Sequence, residues 1–160
     1  MMNLRLLGLL LPLAITGCAT GPNPVQMYPG AKKPYGEIAL IQLDWITSLK
    51  EGSVNMMMDT VDNNKVAPTG MQSTIQTTVL PGRHVLGVDL VWTTGGVTGP
   101  GWLHTKKFKL NIDVSAGNLY AVCYYPSDRL AFKKIGKIED FLVQKKWDEL
   151  VAHPCRNIAN

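Results

Sequence analysis

The sequence predicts a mainly β protein, a small antiparallel β-sandwich with one C-terminal helix. Three observations carry this. Apolar residues alternate with polar ones in several short segments. Turn-forming residues separate those segments. Helical spacing of apolar residues appears late, from Ile138 to Val151.

Taken in order, Glu37 to Leu43 (EIALIQL) is a nearly continuous apolar run, as in a strand buried on both faces. Val54 to Val61 (VNMMMDTV) is followed by Asp62-Asn63-Asn64, a turn signal. Its Met56, Met57 and Met58 suit core packing, since methionine fills irregular gaps. Ser73 to Leu80 runs into Pro81-Gly82, and Arg83 to Trp92 then places Leu86, Val88, Leu90 and Trp92 on one face. The alternation is clearest from Lys107 to Val114. Phe108, Leu110, Ile112 and Val114 point one way, and Lys107, Lys109, Asn111 and Asp113 the other. Ser115 to Asn118 is a turn, and Leu119 to Tyr125 (LYAVCYY) reads as a central strand. In the final helix Ile138, Phe141, Leu142, Leu150 and Val151 form a stripe, Trp147 lies off it, and Pro154 ends the segment. Glu139 and Asp140 suit the positive end of its dipole.

The front of the chain differs. Arg5 precedes an apolar core from Leu6 to Ile15, long enough for a secretory signal but short of the roughly 20 residues a spanning helix needs. Ile15-Thr16-Gly17-Cys18 resembles the lipobox of bacterial lipoproteins, with Ile where Leu is commonest. The resemblance implies a signal peptide over residues 1–17, cleavage before Cys18, and diacylglycerol and acyl chains on that cysteine. Ala19 follows, not Asp, which by the same resemblance implies transport to the bacterial outer membrane. Residues 18–34, rich in Pro and Gly, read as a lipidated flexible tether, and residues 35–160 as the β-sandwich domain.

Lipidation of Cys18 leaves two cysteines, Cys123 and Cys155, in an oxidising compartment, so a disulfide between them is expected. The mature chain has about 143 residues, one domain's worth. The formal net charge of +4 is too mild for a nucleic-acid binder, and export argues against such a partner. Lysine pairs at Lys32-Lys33, Lys106-Lys107, Lys133-Lys134 and Lys145-Lys146 suit solvated faces and strand edges. A sharper reading is contact with anionic headgroups or another acidic envelope polymer.

Thr78 to Val88 (TVLPGRHVLGV) resembles the Pro-Gly hairpin of PEGA-like surface domains and of many uncharacterised proteobacterial envelope lipoproteins. Met58 to Val66 is similar to their Asp-Gly hairpin, with Asn63 where Gly is usual, and Ser115 to Val122 to their Ala-Gly turn and strand. Asn tolerates positive φ better than other non-glycine residues. The resemblance implies a fold and a class of protein; it implies no catalytic residue.

No catalytic motif stands out, and no cofactor or metal is expected. His84, His104 and His153 are widely spaced, and no Cys/His ligand pattern occurs. His84 shares a face with Leu86 and suits a hydrogen bond closing the core edge. The segment most open to a functional reading is Thr93 to Trp102 (TTGGVTGPGW). Gly95, Gly96, Gly99, Gly101 and Trp102 form a candidate binding loop, longer than a hairpin needs. The expected function is that of a membrane-anchored, non-enzymatic envelope lipoprotein that binds or stabilises another envelope protein or surface component. The alternative is a periplasmic carrier of a small ligand or lipid, which a cleft lined by the methionines and tryptophans would favour and a filled core would disfavour.

Overall fold

The computed structural model describes residues 24–44, 54–66, 76–94, 101–125, 129–143 and 155. They form two sheets facing each other across one core. The five-stranded sheet has the order β1 (Val25–Gln26), β5 (Gln76–Val79), β2 (Ala39–Leu43), β8 (Asn118–Tyr125), β9 (Arg129–Lys137). The four-stranded sheet has the order β4 (Asn64–Lys65), β3 (Val54–Val61), β6 (Gly82–Thr94), β7 (Trp102–Val114). Among the described residues a 3-10 turn spans Tyr35–Glu37, and α1 covers Ile138–Val143. The mainly β, two-layer fold is therefore as the alternation predicts. The rest of the expected helix lies outside the described residues.

The four-stranded sheet is antiparallel throughout. The five-stranded sheet is mixed: β1 runs parallel to β5, and β2 runs parallel to β8. These pairings follow from connections that cross between the layers. Pro81-Gly82, expected as a hairpin turn, instead carries the chain from β5 in one sheet to β6 in the other. Gly82 has φ +131°, a conformation that L side chains rarely adopt. The next turn, at Ala116-Gly117, also changes sheets, from β7 to β8. Consecutive strands pair within one sheet at β3–β4, β6–β7 and β8–β9; in the β3–β4 turn Asp62 (φ 51°) and Asn63 (φ 64°) are both left-handed. Asx residues tolerate this conformation, which a two-residue hairpin of this kind requires.

Alternation explains the packing. Ile41 and Leu43 of β2, Val79 of β5 and Val122 of β8 meet Met58 of β3 and Leu86 and Val88 of β6 in the core. β2 and β8 are apolar on both faces because the outer face of their sheet is also covered. There Leu40 and Leu119 pack with Ile138 of α1, flanked by Tyr35, Ile135 and Phe141. Further along that face Gln42 is buried and accepts a bond at 3.1 Å from the side-chain amide of Gln76, its partner in register. Pairing the two amides offsets their loss of water.

Three boundaries differ from expectation. The domain begins earlier than residue 35: Val25 and Gln26 join the sheet, Val25 and Met27 pack on the core, and Tyr28 is buried. A Pro- and Gly-rich composition suited a tether, yet Gln26 ties the segment down with bonds to the carbonyls of Tyr28 and Gly30, and Thr77 bonds Val25. Of the expected 18–34 tether, residues 24–34 thus belong to the fold. β9 is a strand that the sequence did not announce. β6 and β7 are each 13 residues long and paired throughout, extending past the expected ends at Trp92 and Lys107.

Strand directions fix what lies at each end of the sandwich. β5 arrives at the end holding the Pro81-Gly82 and Ala116-Gly117 turns; β6 leaves it and β7 returns to it. The opposite end carries the overhang of β6 and β7, the finish of β8 and the start of β9. Because β1 is parallel to β5, the chain enters β1 from that same overhang end.

Candidate functional site

Two regions qualify. The first is a shallow hollow of about 470 Å³ beside the turn end, lined by Asp62, Arg83, His84, Val85, Asn111, Ile112 and Asp113. The β3–β4 turn supplies Asp62 and the start of β6 supplies His84. His84 Nδ1 lies 2.6 Å from Asp62 Oδ2, and Nε2 lies 2.8 Å from the Leu80 carbonyl. Asp62 Oδ1 accepts the Val85 N–H at 2.8 Å, and the Asp62 N–H donates to the Val85 carbonyl at 2.9 Å.

A His beside a carboxylate in a hollow suggests acid–base catalysis. The geometry assigns a different job. A catalytic imidazole turns its second nitrogen to a nucleophile or substrate. Here the Leu80 carbonyl can only accept, so Nε2 carries a proton and is committed to the backbone. Among the described residues, none of the lining side chains is a nucleophile that such a ring activates. The side chain of His84, 14% exposed, pins the β3–β4 turn to the β5–β6 crossing. That is the edge-closing role its position predicts.

Partial burial pushes the Asp62 carboxyl up, but the bonds from His84 and the Val85 N–H outweigh it and hold the group below its ordinary value. A depressed carboxylate contributes stability above its unfolded pKa of about 3.9 and loses it as pH falls through the lower folded value. Stability is therefore expected to drop below about pH 4, and Asp62→Asn should flatten that part of the profile. Because Asp62 is nearly half exposed, the loss at neutral pH for Asp62→Asn should be modest, about 1 kcal/mol. Urea titrations at several pH values measure both.

The second region is the overhang of β6 and β7. Beyond Leu90, buried at 3%, the ribbon leaves the core. Trp92 covers its margin, half-buried and stacked on His104 with ring centroids 5.3 Å apart. The sequence expected Trp92 on the core face; it is on that face but at the rim. His104 Nε2 meets Thr94 Oγ1 at 2.7 Å across the ribbon. Next come Trp102 and Leu103, 71% and 70% exposed, the two most exposed large apolar side chains among the described residues. In register, Trp102 faces Thr94 and Leu103 faces Thr93. Of the candidate binding loop, Gly101 and Trp102 are described, and Trp102 belongs to β7 rather than to the loop. Gly95, Gly96 and Gly99 lie outside the described residues, as does Cys18.

The ribbon continues into Lys106, Lys107 and Lys109 on β7. Lys107 pairs with Asp89 at 3.7 Å, and Lys106 lies 5.4 Å over the Phe108 ring. At the same end of the other sheet, Arg129 and Lys133 sit 5.5 Å and 5.6 Å over Tyr125. The strands β7 and β9 thus border a basic, aromatic-rich side. Met56 and Met58 are buried in the core, as their alternation predicts. Cys123, buried on the outer face of β8, is bonded to Cys155 with Cα atoms 5.8 Å apart.

Compared with protein-family models, with curated proteins and with solved structures, the chain matches none.

Proposed function

We propose that this protein is a lipid-anchored lipoprotein of the bacterial outer membrane, and that its β-sandwich is a non-enzymatic module that binds or stabilises another envelope component. The signal-like front of the chain and the Ile15-Thr16-Gly17-Cys18 sequence support the anchor. Acyl chains contribute about 0.8 kcal/mol per buried CH₂, so two or more hold a protein stably. The observation that carries the binding role is the overhang: Trp102 and Leu103 stand exposed in succession, one on each face of a paired ribbon, with lysines further along the strand. Large apolar side chains held out on a rigid element are a recurrent form of contact surface.

The test is membrane fractionation of cells labelled with palmitate. The wild-type protein should carry label and travel with the outer membrane. Cys18→Ser should lose the label and leave that fraction. A labelled Cys18→Ser variant, still in the outer-membrane fraction, would contradict the anchor.

A further inference from the structure

We infer that the envelope component met by the β6–β7 overhang is the surface of the bilayer that carries the anchor, so that Trp102 and Leu103 form a second membrane contact. The inference deepens the lipoprotein reading and rests on it. Three independent observations lead to it.

The first is direction. β1 is parallel to β5, so the chain enters the domain at the overhang end. An anchor at Cys18 therefore pulls that end, and not the turn end, toward the membrane.

The second is reach. Between Cys18 and Pro24, the first described residue, lie Ala19 to Asn23. Six Cα steps cover at most about 20 Å, even fully extended. The overhang beyond Leu90 comprises the four residues to Thr94, about 13 Å at strand rise. The two lengths are comparable. Pro24 held within that short distance brings the described end of the ribbon, the Thr94–Trp102 pair, within comparable reach of the bilayer. A tether running to residue 34 would have made no such demand, and the bonds of Val25, Gln26 and Tyr28 remove it.

The third is chemistry. Tryptophan concentrates at the membrane–water interface, where an apolar ring with one polar edge fits the headgroup level. Leu103, on the opposite face of the ribbon, adds apolar area that water otherwise solvates, so the ribbon end is apolar on both faces. Lys106, Lys107 and Lys109 follow on the same strand, and Arg129 and Lys133 stand at the same end of β9. Long basic side chains carry their charge toward an anionic surface while their stems stay on the protein. A protein partner wants shape complementarity around the tryptophan; a bilayer wants this succession of an exposed tryptophan and leucine followed by a basic flank.

The experiment uses the full mature protein, purified with its lipid, in vesicles of phosphatidylethanolamine and phosphatidylglycerol brominated on their acyl chains. Bromine quenches tryptophan that enters the interface. Quenching should be strong in the wild type, roughly halved or lower in Trp102→Phe, and unchanged in Trp92→Phe. Thermal unfolding of the exposed-site variant should match the wild type, which separates contact from folding. Equal quenching in wild type and Trp102→Phe overturns the inference. So does a photo-crosslinker at position 103 that captures a protein in cells while Trp102 stays unquenched. Mass measurement of the N-terminal peptide in the same sample keeps the two readings apart. Acylated Cys18 with unquenched Trp102 sinks the second contact and leaves the anchor. Unacylated Cys18 with Trp102 quenched sinks the anchor and upholds the contact.

Discussion

Loss of the Cys123–Cys155 bond is expected to lower the stability of the domain by about 3–4 kcal/mol, the chain-entropy value for a loop of this length. The two cysteines are 32 residues apart, so the bond restricts a long stretch of the unfolded chain. It also fastens residue 155 to the outer face of the five-stranded sheet, where Leu40, Leu119 and Ile138 already pack. A domain of this size is stable by only about 5–15 kcal/mol, so the loss is a large share. Cys155→Ser isolates the effect, because the freed Cys123 thiol stays buried and packs as a small apolar group. Urea unfolding of that variant should show a lower midpoint and a steeper slope, since the unfolded chain expands once the loop is open. An unchanged midpoint would mean the bond closes on a segment that adds nothing to the fold.

The two tryptophans of the ribbon should separate by kind of effect. Trp92→Ala removes a ring packed on the core margin and stacked on His104. Full burial of an aromatic is worth about 3–5 kcal/mol on truncation, and this ring is half-buried, so about 2–3 kcal/mol is expected. His104 also loses its stacking partner, and the far end of the ribbon should loosen with it. Trp102→Ala removes a ring that is 71% exposed, and its stability should stay within about 0.5 kcal/mol of wild type. Its effect should appear in membrane contact instead. Equal loss of stability at both positions would mean that Trp102 is packed as structure in the folded protein.

Much of the fold is legible in the sequence because one physical signal dominates it. β6 and β7 alternate cleanly, and the structure places Leu86, Val88, Ile112 and Val114 in the core as period two demands. Asp62-Asn63 announces its hairpin through residues that accept positive φ. What failed to show has physical reasons. β1 is a two-residue edge strand held by Gln26 and Thr77, and the flanking Pro22, Pro24, Pro29 and Gly30 imitate a linker. β9 carries adjacent Lys133 and Lys134, and a register shift opposite Leu119 and Tyr120 breaks its alternation. Pro81-Gly82 gives a turn but not the sheet that the next strand joins, since that choice depends on partners far away in sequence.

The candidate site divides in the same way. Trp102 is visible as an unpaired aromatic beside a glycine-rich segment, but its exposure depends on β6 and β7 outrunning the core. The Asp62–His84 contact joins residues 22 positions apart and has no local signature. Leu103 has no signal in the sequence, because a single leucine ahead of an alternating segment carries no pattern. The direction of the overhang relative to the N-terminus is purely topological and needed the parallel pairing of β1 with β5.

The most direct test of a lipid-anchored domain is the mass of the N-terminal peptide of the protein taken from cell membranes. The account predicts that the mature chain begins at Cys18 and carries diacylglycerol with an acylated amine. A chain that keeps residues 1–17, or that begins elsewhere with Cys18 unmodified, would contradict it.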